Sequence, residues 1–204
     1  MRRTPVGVVG VAMLAVVVLT ACGPTTPEAT ESPSPSTTST PSSTPSAAPA
    51  AFSIPDCETM LPIEQVHEIF DDSLVFYGEE GFDASGFAIA QLGTTLAEAE
   101  QSRRCIWVVP DSDGSFQLIV AEADPSDAAD LQEVLPDEGF TSASMGTVTG
   151  FDGVIVTDDG DYATTVLFTG DVIIYVSAGT LDVTGQVAGS VLDALRTANP
   201  DLGL

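Results

Sequence analysis

The chain of 204 residues contains no lysine, one histidine, three cysteines and only five basic residues, all arginine. Against 30 acidic residues these cations leave a formal charge of −25, which disfavours binding to nucleic acid and to anionic lipid headgroups. One histidine and so few thiols supply too few soft ligands for a structural zinc site. The sequence also lacks Gly-x-Ser-x-Gly, a glycine-rich phosphate loop and H-E-x-x-H. These absences exclude several common classes of enzyme and of nucleic-acid-binding protein.

The N-terminus has the pattern of an export signal. Arg2 and Arg3 precede an apolar run over residues 6–19. This run is shorter than the roughly 20 residues that a membrane-spanning helix needs, and its length and flanks are those of a signal-peptide h-region. Residues 19–22, Leu-Thr-Ala-Cys, resemble the lipobox of bacterial lipoproteins, in which a small residue precedes the cysteine that becomes the first residue of the mature chain.

The lipobox resemblance implies a lipid anchor on Cys22. Residues 1–21 would be removed as a signal peptide, and Cys22 would carry a diacylglycerol on its sulfur and a further fatty acid, such as palmitate, on its amine. Two acyl chains are sufficient for stable membrane binding. We therefore expect a lipoprotein at the cell membrane, lipid-anchored on the extracellular face. The alternative is an ordinary secreted protein with an incidental cysteine.

The segment after the anchor, residues 22–53, is predicted to be a disordered tether. It consists mainly of Ser, Thr, Pro and Ala, which cannot bury enough apolar surface to offset the entropy of ordering. Its prolines favour an extended chain that spans up to roughly 90 Å. An O-glycosylated stalk has the same composition and stays an alternative to a simple spacer.

Residues 54–204 are long enough for a single domain with its own core. Without residues 1–21 the chain keeps three basic and 30 acidic residues, a formal charge of −27. Such a surface repels anions and attracts cations. The two remaining cysteines, Cys57 and Cys105, are most simply interpreted as one disulfide, because an exported domain folds in an oxidising environment. A reactive thiol is the alternative, and only Arg103 and Arg104 offer Cys105 a positive setting.

The hydrophobic pattern predicts an α+β domain with an antiparallel sheet. Helices are predicted at residues 62–70, at about 96–101 behind a capping box that starts at Thr95, at 126–135 behind an Asp124 cap, and from Thr184 to just before Pro200. Strands are predicted at 105–109, 116–123, 153–157, 162–169 and 172–178, with a weaker strand at 142–148 and an ambiguous one at 74–77. Short Asp/Gly turns join the strands as hairpins. We therefore expect about five or six strands, with the N-terminal and C-terminal helices packed on one face and one disulfide.

One layout of residues resembles a known group of proteins. Cys57 precedes Leu61 and Pro62, which opens a helix, and Cys105 and Trp107 form a Cys-x-Trp on the first clear strand. The layout resembles small extracytoplasmic lipoproteins of high-GC Gram-positive bacteria that are grouped as a domain of unknown function. A tether that clears a cell wall and the absence of lysine agree with such a source. The resemblance implies an extracytoplasmic α+β domain, a disulfide between these two cysteines and no established activity.

Two acidic turns are weak candidates for a calcium site. Asp111 and Asp113 occupy one turn, and Asp158, Asp159 and Asp161 another. Closely spaced carboxylates in a glycine-containing loop suit Ca²⁺, and the first turn is similar to the start of an EF-hand loop. Its register is two residues short and no glutamate closes it. Asp and Gly also favour hairpin turns on their own, so each turn has a purely structural interpretation.

For function, the sequence favours binding over catalysis, with no cofactor and no nucleic acid. We expect a binding or interaction module at the cell envelope that contacts the membrane through its anchor and meets an unknown envelope protein or small ligand. A small-ligand carrier, a calcium-dependent module and a two-carboxylate hydrolase are the alternatives, in that order. Aromatic side chains are expected mainly in the core, and any that face outward together would form a binding patch: Trp107, Phe116, Tyr162, Phe168 and Tyr175.

Overall fold

The computed structural model describes residues 51–70, 72–157 and 160–204. The predicted signal peptide, the lipidated Cys22 and nearly all of the predicted tether lie outside these ranges, as do Asp158 and Asp159. Within the described residues, none of the helices combines the length and the apolar character that crossing a membrane requires.

The domain is built on one antiparallel sheet. Its strands are β1 (Val75–Glu79), β2 (Gln101–Val108), β3 (Ser115–Glu122), β4 (Thr141–Met145), β5 (Val148–Thr157), β6 (Gly160–Thr169) and β7 (Val172–Ala178). They are arranged in the order β1-β2-β3-β7-β6-β5-β4, and each neighbouring pair is antiparallel. The predicted α+β class with an antiparallel sheet is confirmed. The expected number of five or six strands was wrong, because the sheet has seven. The seventh strand is β1, an edge strand whose glycine and half-exposed pattern give a weak signal in the sequence.

In the described part of the chain, five α-helices and a short 3-10 helix (Ala84–Gly86) accompany the sheet. The α-helices are α1 (Cys57–Met60), α2 (Ile63–Ile69), α3 (Ala90–Ala97), α4 (Pro125–Val134) and α5 (Leu181–Ala198). Helix α4 begins where Asp124 and Pro125 predict it, with the Asp124 carboxylate accepting a hydrogen bond from the Ser126 N–H at 2.8 Å.

Two predicted helix starts were wrong. Thr95 is a buried residue inside α3, which ends at Ala97, and residue 101 already belongs to β2. Thr184 lies inside α5, whose N-terminal cap is Thr180. In α5, Thr180 provides an earlier cap, its hydroxyl accepting from the Val183 N–H at 3.4 Å. In α3, the local capping pattern is outweighed by an apolar face that begins earlier in the chain. Leu92 already packs in the core before Thr95 is reached.

Buried side chains form two clusters, one for each face of the sheet. Successive side chains of a strand point to opposite faces of the sheet, so the residues of β3 belong alternately to one cluster and to the other. Leu118 belongs to the first cluster together with residues of α1, α2 and α5. Ile119 belongs to the second together with residues of α3 and α4. Both faces of the sheet therefore carry helices, and the second face is the one that holds the cavities described below.

Candidate functional site

Three adjoining cavities open on the second face of the sheet. They have volumes of about 270, 480 and 220 Å³, and Arg104 and Gln117 line all three. Tyr162 and Ser177 line the two larger ones. We refer to this region as the tyrosine groove and define it by Tyr77, Arg104, Gln117, Tyr162, Tyr175 and Ser177.

The groove contains every tyrosine of the chain. The sequence has three, Tyr77, Tyr162 and Tyr175, and each lines one or more of the cavities. Tyr77 is 65% exposed, Tyr162 is half-buried and Tyr175 is only 3% exposed. The two outer rings can therefore meet a ligand, whereas the third forms part of the floor.

A β-bulge places Tyr77 at the groove. Phe76 pairs with Trp107 and Gly78 pairs with Ile106, so Tyr77 is the extra residue of the bulge. Phe76 packs against the buried Trp107 with ring centroids 5.3 Å apart. This packing fixes the strand immediately before the bulge, and Tyr77 is left at the mouth of the groove.

The side chains of two consecutive arginines lie on opposite faces of β2. Arg103 forms ion pairs with Glu79 and, at 3.4 Å, with Asp56. Arg104 enters the groove, where its Nε donates to the side-chain oxygen of Gln117 at 3.1 Å. Its Nη1 lies 3.9 Å from a carboxylate oxygen of Glu80, so this cation has a compensating acid beside it.

The Tyr175 hydroxyl is the centre of a polar network on the groove floor. Burial raises the pKa of Tyr175 above its ordinary value of 10.0, and hydrogen bonds to Ser177, Thr164 and Gln117 and the charge of Arg104 oppose that rise without cancelling it. The hydroxyl therefore keeps its proton at physiological pH.

A loop around the 3-10 helix forms one wall of the groove. Phe87 packs edge-on against Tyr175 with ring centroids 5.7 Å apart. The Asp83 carboxylate caps the 3-10 helix by accepting from the Ser85 N–H at 2.8 Å. Hydrogen bonds from the Ser85 hydroxyl and backbone lower the pKa of Asp83. Gly93 of α3 allows close packing, because a Cβ there would lie 2.5 Å from the Ala84 carbonyl oxygen.

The groove and the start of the described chain lie at opposite ends of the sheet. Phe52 is buried, and its carbonyl accepts from the Gln101 side chain at 3.1 Å. Gln101 pairs with Glu122 at one end of β2 and β3, whereas Val108 pairs with Ser115 at the other end, where both line a groove cavity. Seven residues of extended strand separate the two ends, a distance of roughly 23 Å.

The predicted disulfide is confirmed. Cys57 and Cys105 are bonded and fully buried, with their Cα atoms 5.7 Å apart, and they join α1 to β2. A reactive thiol at Cys105 is excluded by this bond, and the neighbouring arginines serve the ion pairs described above. The lipidation of Cys22 lies outside the described residues and stays a prediction.

The acidic turns are not brought together with other ligands in the part of the chain that can be assessed. Asp111 and Asp113 are exposed, and Asp111 adopts a positive φ of 60° that suits a turn. Asp161 is exposed at the start of β6, and its neighbours Asp158 and Asp159 lie outside the described residues. Among the described residues there is no group of three or more His, Cys, Asp or Glu side chains that could hold a metal. Calcium binding stays a prediction without structural support.

Most of the groove was missed by reasoning from the sequence. Trp107, Phe116, Phe168 and Tyr175 are buried as expected, and Tyr162 is the one of the five predicted aromatic residues that is half-exposed in the groove. Period-two alternation on the strands would have placed Arg104, Gln117 and Ser177 on polar positions of otherwise apolar strands. Only the register of four strands brings these positions together.

Comparison with protein-family models, with curated proteins and with solved structures found no match to this chain. The resemblance to lipoproteins of high-GC Gram-positive bacteria therefore remains a prediction from the residues that carry it.

Proposed function

We propose that this chain is a lipoprotein, anchored through Cys22 on the outer face of the cell membrane, whose domain binds a component of the cell envelope in the tyrosine groove. In this proposal helices α1, α2 and α5 cover one face of the sheet and complete the core. The other face then supplies the binding surface. The role is recognition rather than catalysis.

The convergence of three tyrosines, one arginine and two neutral polar side chains in one groove carries the proposal. Tyrosine and arginine are enriched at sites that carry binding energy, because they offer a large contact area and a polar tip. Four of these six side chains are held in place by the fold, through the Arg104–Gln117 hydrogen bond and the Tyr175 network that includes Ser177. A pre-organised surface loses little side-chain entropy on binding.

The position of the groove supports a partner beyond the membrane surface. A tether that ends near Phe52 joins the domain at the end of the sheet remote from the groove. The groove can therefore face away from the membrane while the anchor stays inserted.

A small-ligand carrier is the second candidate. The largest groove cavity measures about 480 Å³. That volume lies within the range of about 300–1,000 Å³ that is common for small-molecule sites. A carrier would bind its ligand in solution as well as on the cell surface.

The anchor is tested by metabolic labelling with a fatty-acid analogue. The wild-type protein should be labelled and recovered with the membrane, whereas Cys22→Ala should be unlabelled and shed. An unlabelled wild type, or a label that survives the substitution, would end the lipoprotein proposal.

The groove is tested by co-sedimentation of the shed Cys22→Ala protein with isolated cell envelopes. Tyr77→Ala and Tyr162→Ala should each reduce the bound fraction at least fivefold. The matched control is Val156→Ala, since Val156 is 73% exposed and alternates on β5 with Ile155, which lines the groove. Equal binding by all four proteins would contradict the proposed site.

A further inference from the structure

We propose that the groove binds an uncharged, hydroxyl-rich chain, a neutral oligosaccharide segment of the envelope, rather than an anionic polymer or a peptide. The inference rests on the proposed function and specifies its ligand. It depends on three features of the groove: the charge of its lining, the direction in which it runs and the kind of hydrogen-bonding groups that it presents.

The charge of the lining matches a neutral ligand. Among the described residues that line the three cavities, the charged side chains are Arg104 and Asp83. Arg104 has the Glu80 carboxylate 3.9 Å away, and the Asp83 carboxylate accepts a hydrogen bond from the Ser85 N–H. An anionic ligand would meet a strongly negative molecule, and a cationic one would have to compete with Arg104 for the Glu80 carboxylate. A neutral ligand avoids both conflicts.

The direction of the groove matches a ligand that crosses the strands. Tyr77 is on β1 and Tyr162 is on β6, four strands away across β2, β3 and β7. Neighbouring strands are about 4.8 Å apart, so the two exposed rings belong to strands separated by roughly 19 Å. Both side chains line one cavity of about 270 Å³, so a ligand that crosses the strands there can touch both rings.

The hydrogen-bonding groups match hydroxyls better than a peptide backbone. The strands between the two rings are interior strands, whose backbone groups are already paired with neighbouring strands. A peptide that adds to a sheet needs a free edge with backbone donors and acceptors. On these interior strands only side chains are offered, and the hydroxyls and amide of Tyr162, Ser177 and Gln117 can each act as donor and acceptor.

The aromatic rings suit the apolar faces of a sugar ring. A pyranose has C–H groups on its faces and hydroxyls around its rim, so it needs a flat apolar surface flanked by polar tips. A tyrosine provides an apolar ring and a polar hydroxyl in one side chain. Tyr77 and Tyr162 supply two such surfaces, and both line the same cavity.

The direct test is calorimetric titration of the full chain carrying Cys22→Ala with linear neutral pentasaccharides. The panel contains β-1,4-glucan, α-1,4-glucan, α-1,6-mannan and β-1,4-galactan fragments. At least one should bind saturably, with a Kd of about 10 µM to 1 mM, and Tyr162→Ala should weaken it at least tenfold. Tyr77→Ala is the second variant, because that side chain is 65% exposed and its removal leaves the core intact. Val156→Ala should bind like the parent protein.

No saturable binding by any member of the panel, or binding that both tyrosine substitutions leave unchanged, would overturn the glycan inference. Envelope binding distinguishes this failure from failure of the proposed function. Envelopes whose glycans have been opened by periodate should lose groove-dependent binding, and protease-treated envelopes should keep it. The reverse pattern would overturn the glycan while sustaining a protein-binding groove, and no groove-dependent binding in either case would overturn both.

Discussion

At the scale of single residues, the groove wall depends on the absence of a side chain at Gly93. A Cβ at this position would lie 2.5 Å from the Ala84 carbonyl oxygen and 3.0 Å from the Phe87 Cβ. The carbonyl belongs to the backbone and cannot rotate away, so α3 and the loop around the 3-10 helix would have to separate. This separation would move Phe87 relative to Tyr175.

We therefore expect Gly93→Ala to reduce the free energy of unfolding by about 1–3 kcal/mol, although alanine is the better helix former. Gly185→Ala in α5 is the matched control, because a Cβ added there would meet no atom of a neighbouring element within 4 Å. That variant should be more stable by about 0.4–1 kcal/mol. Urea unfolding measures the free energy of unfolding of both variants. A Gly93→Ala variant that is more stable than the wild type would contradict the close packing.

Tyr175 should make the stability of the domain sensitive to high pH. Its pKa is raised by burial above 10.0 in the folded protein, and an unfolded tyrosine titrates near about 10. The stabilising contribution is thus fully present below pH 10 and is lost as pH rises from there towards the folded-state pKa.

In Tyr175→Phe this loss should be absent. The difference in the free energy of unfolding between the wild type and the variant should therefore become smaller from pH 8 to pH 10.5. At pH 8 the variant should be less stable by about 1 kcal/mol, because its polar neighbours lose a partner. Urea unfolding at several pH values measures this difference. A difference that stays constant or grows would show that the hydroxyl is not held in its neutral form.

At the scale of elements, a buried hydroxyl network joins α5 to the sheet. The hydroxyl oxygens of Thr184 in α5 and Thr165 in β6 lie 2.7 Å apart, and the Thr165 hydroxyl donates to the Asp152 carboxylate at 2.7 Å. Thr184 is completely buried, and its hydroxyl also lies 3.1 Å from the Leu181 carbonyl oxygen of its own helix. The network fixes the first turn of α5 relative to the two strands.

Thr184→Val keeps the shape of the side chain and removes its hydroxyl. We expect the free energy of unfolding to fall by about 1–3 kcal/mol, because Thr165 and Asp152 lose part of a buried network. Thr197→Val, at an exposed position where the hydroxyl bonds only the Asp193 carbonyl of its own helix, should change it by less than about 0.5 kcal/mol. Equal effects in thermal unfolding would mean that the network does not stabilise the contact.

The same elements show what local sequence can reveal. The Asp124–Pro125 signal predicted the start of α4 correctly, because the cap hydrogen bond is made within three residues. Thr95 and Thr184 carry capping patterns as well, yet both are buried inside helices. Leu92 already packs in the core before Thr95, and Thr180 caps α5 one turn before Thr184. The groove depends on strand register and on the bulge at Tyr77, which no local pattern encodes. The fold class was therefore accessible from the sequence and the site was not.

At the scale of the whole molecule, the disulfide connects the N-terminal helices to the sheet. Cys57 and Cys105 are 48 residues apart in the sequence, and a bridge over such a loop contributes about 4 kcal/mol on the chain-entropy model. Both sulfurs lie in the first cluster, on the opposite side of the sheet from the groove.

Replacing both cysteines with alanine in the Cys22→Ala protein should lower the free energy of unfolding by about 2–5 kcal/mol. The unsubstituted Cys22→Ala protein is the control, and urea unfolding under non-reducing conditions is the measurement. An unchanged unfolding midpoint would show that the bridge is dispensable for stability.

The central claim is that this domain meets its envelope ligand through the tyrosine groove, and photocrosslinking on intact cells tests it most directly. A photoreactive amino acid is placed at position 77, at the mouth of the groove, or at position 156, on the other face of the sheet. We predict light-dependent adducts to envelope material from position 77 and none from position 156. Adducts from position 156 alone, or equal adducts from both positions, would contradict the claim.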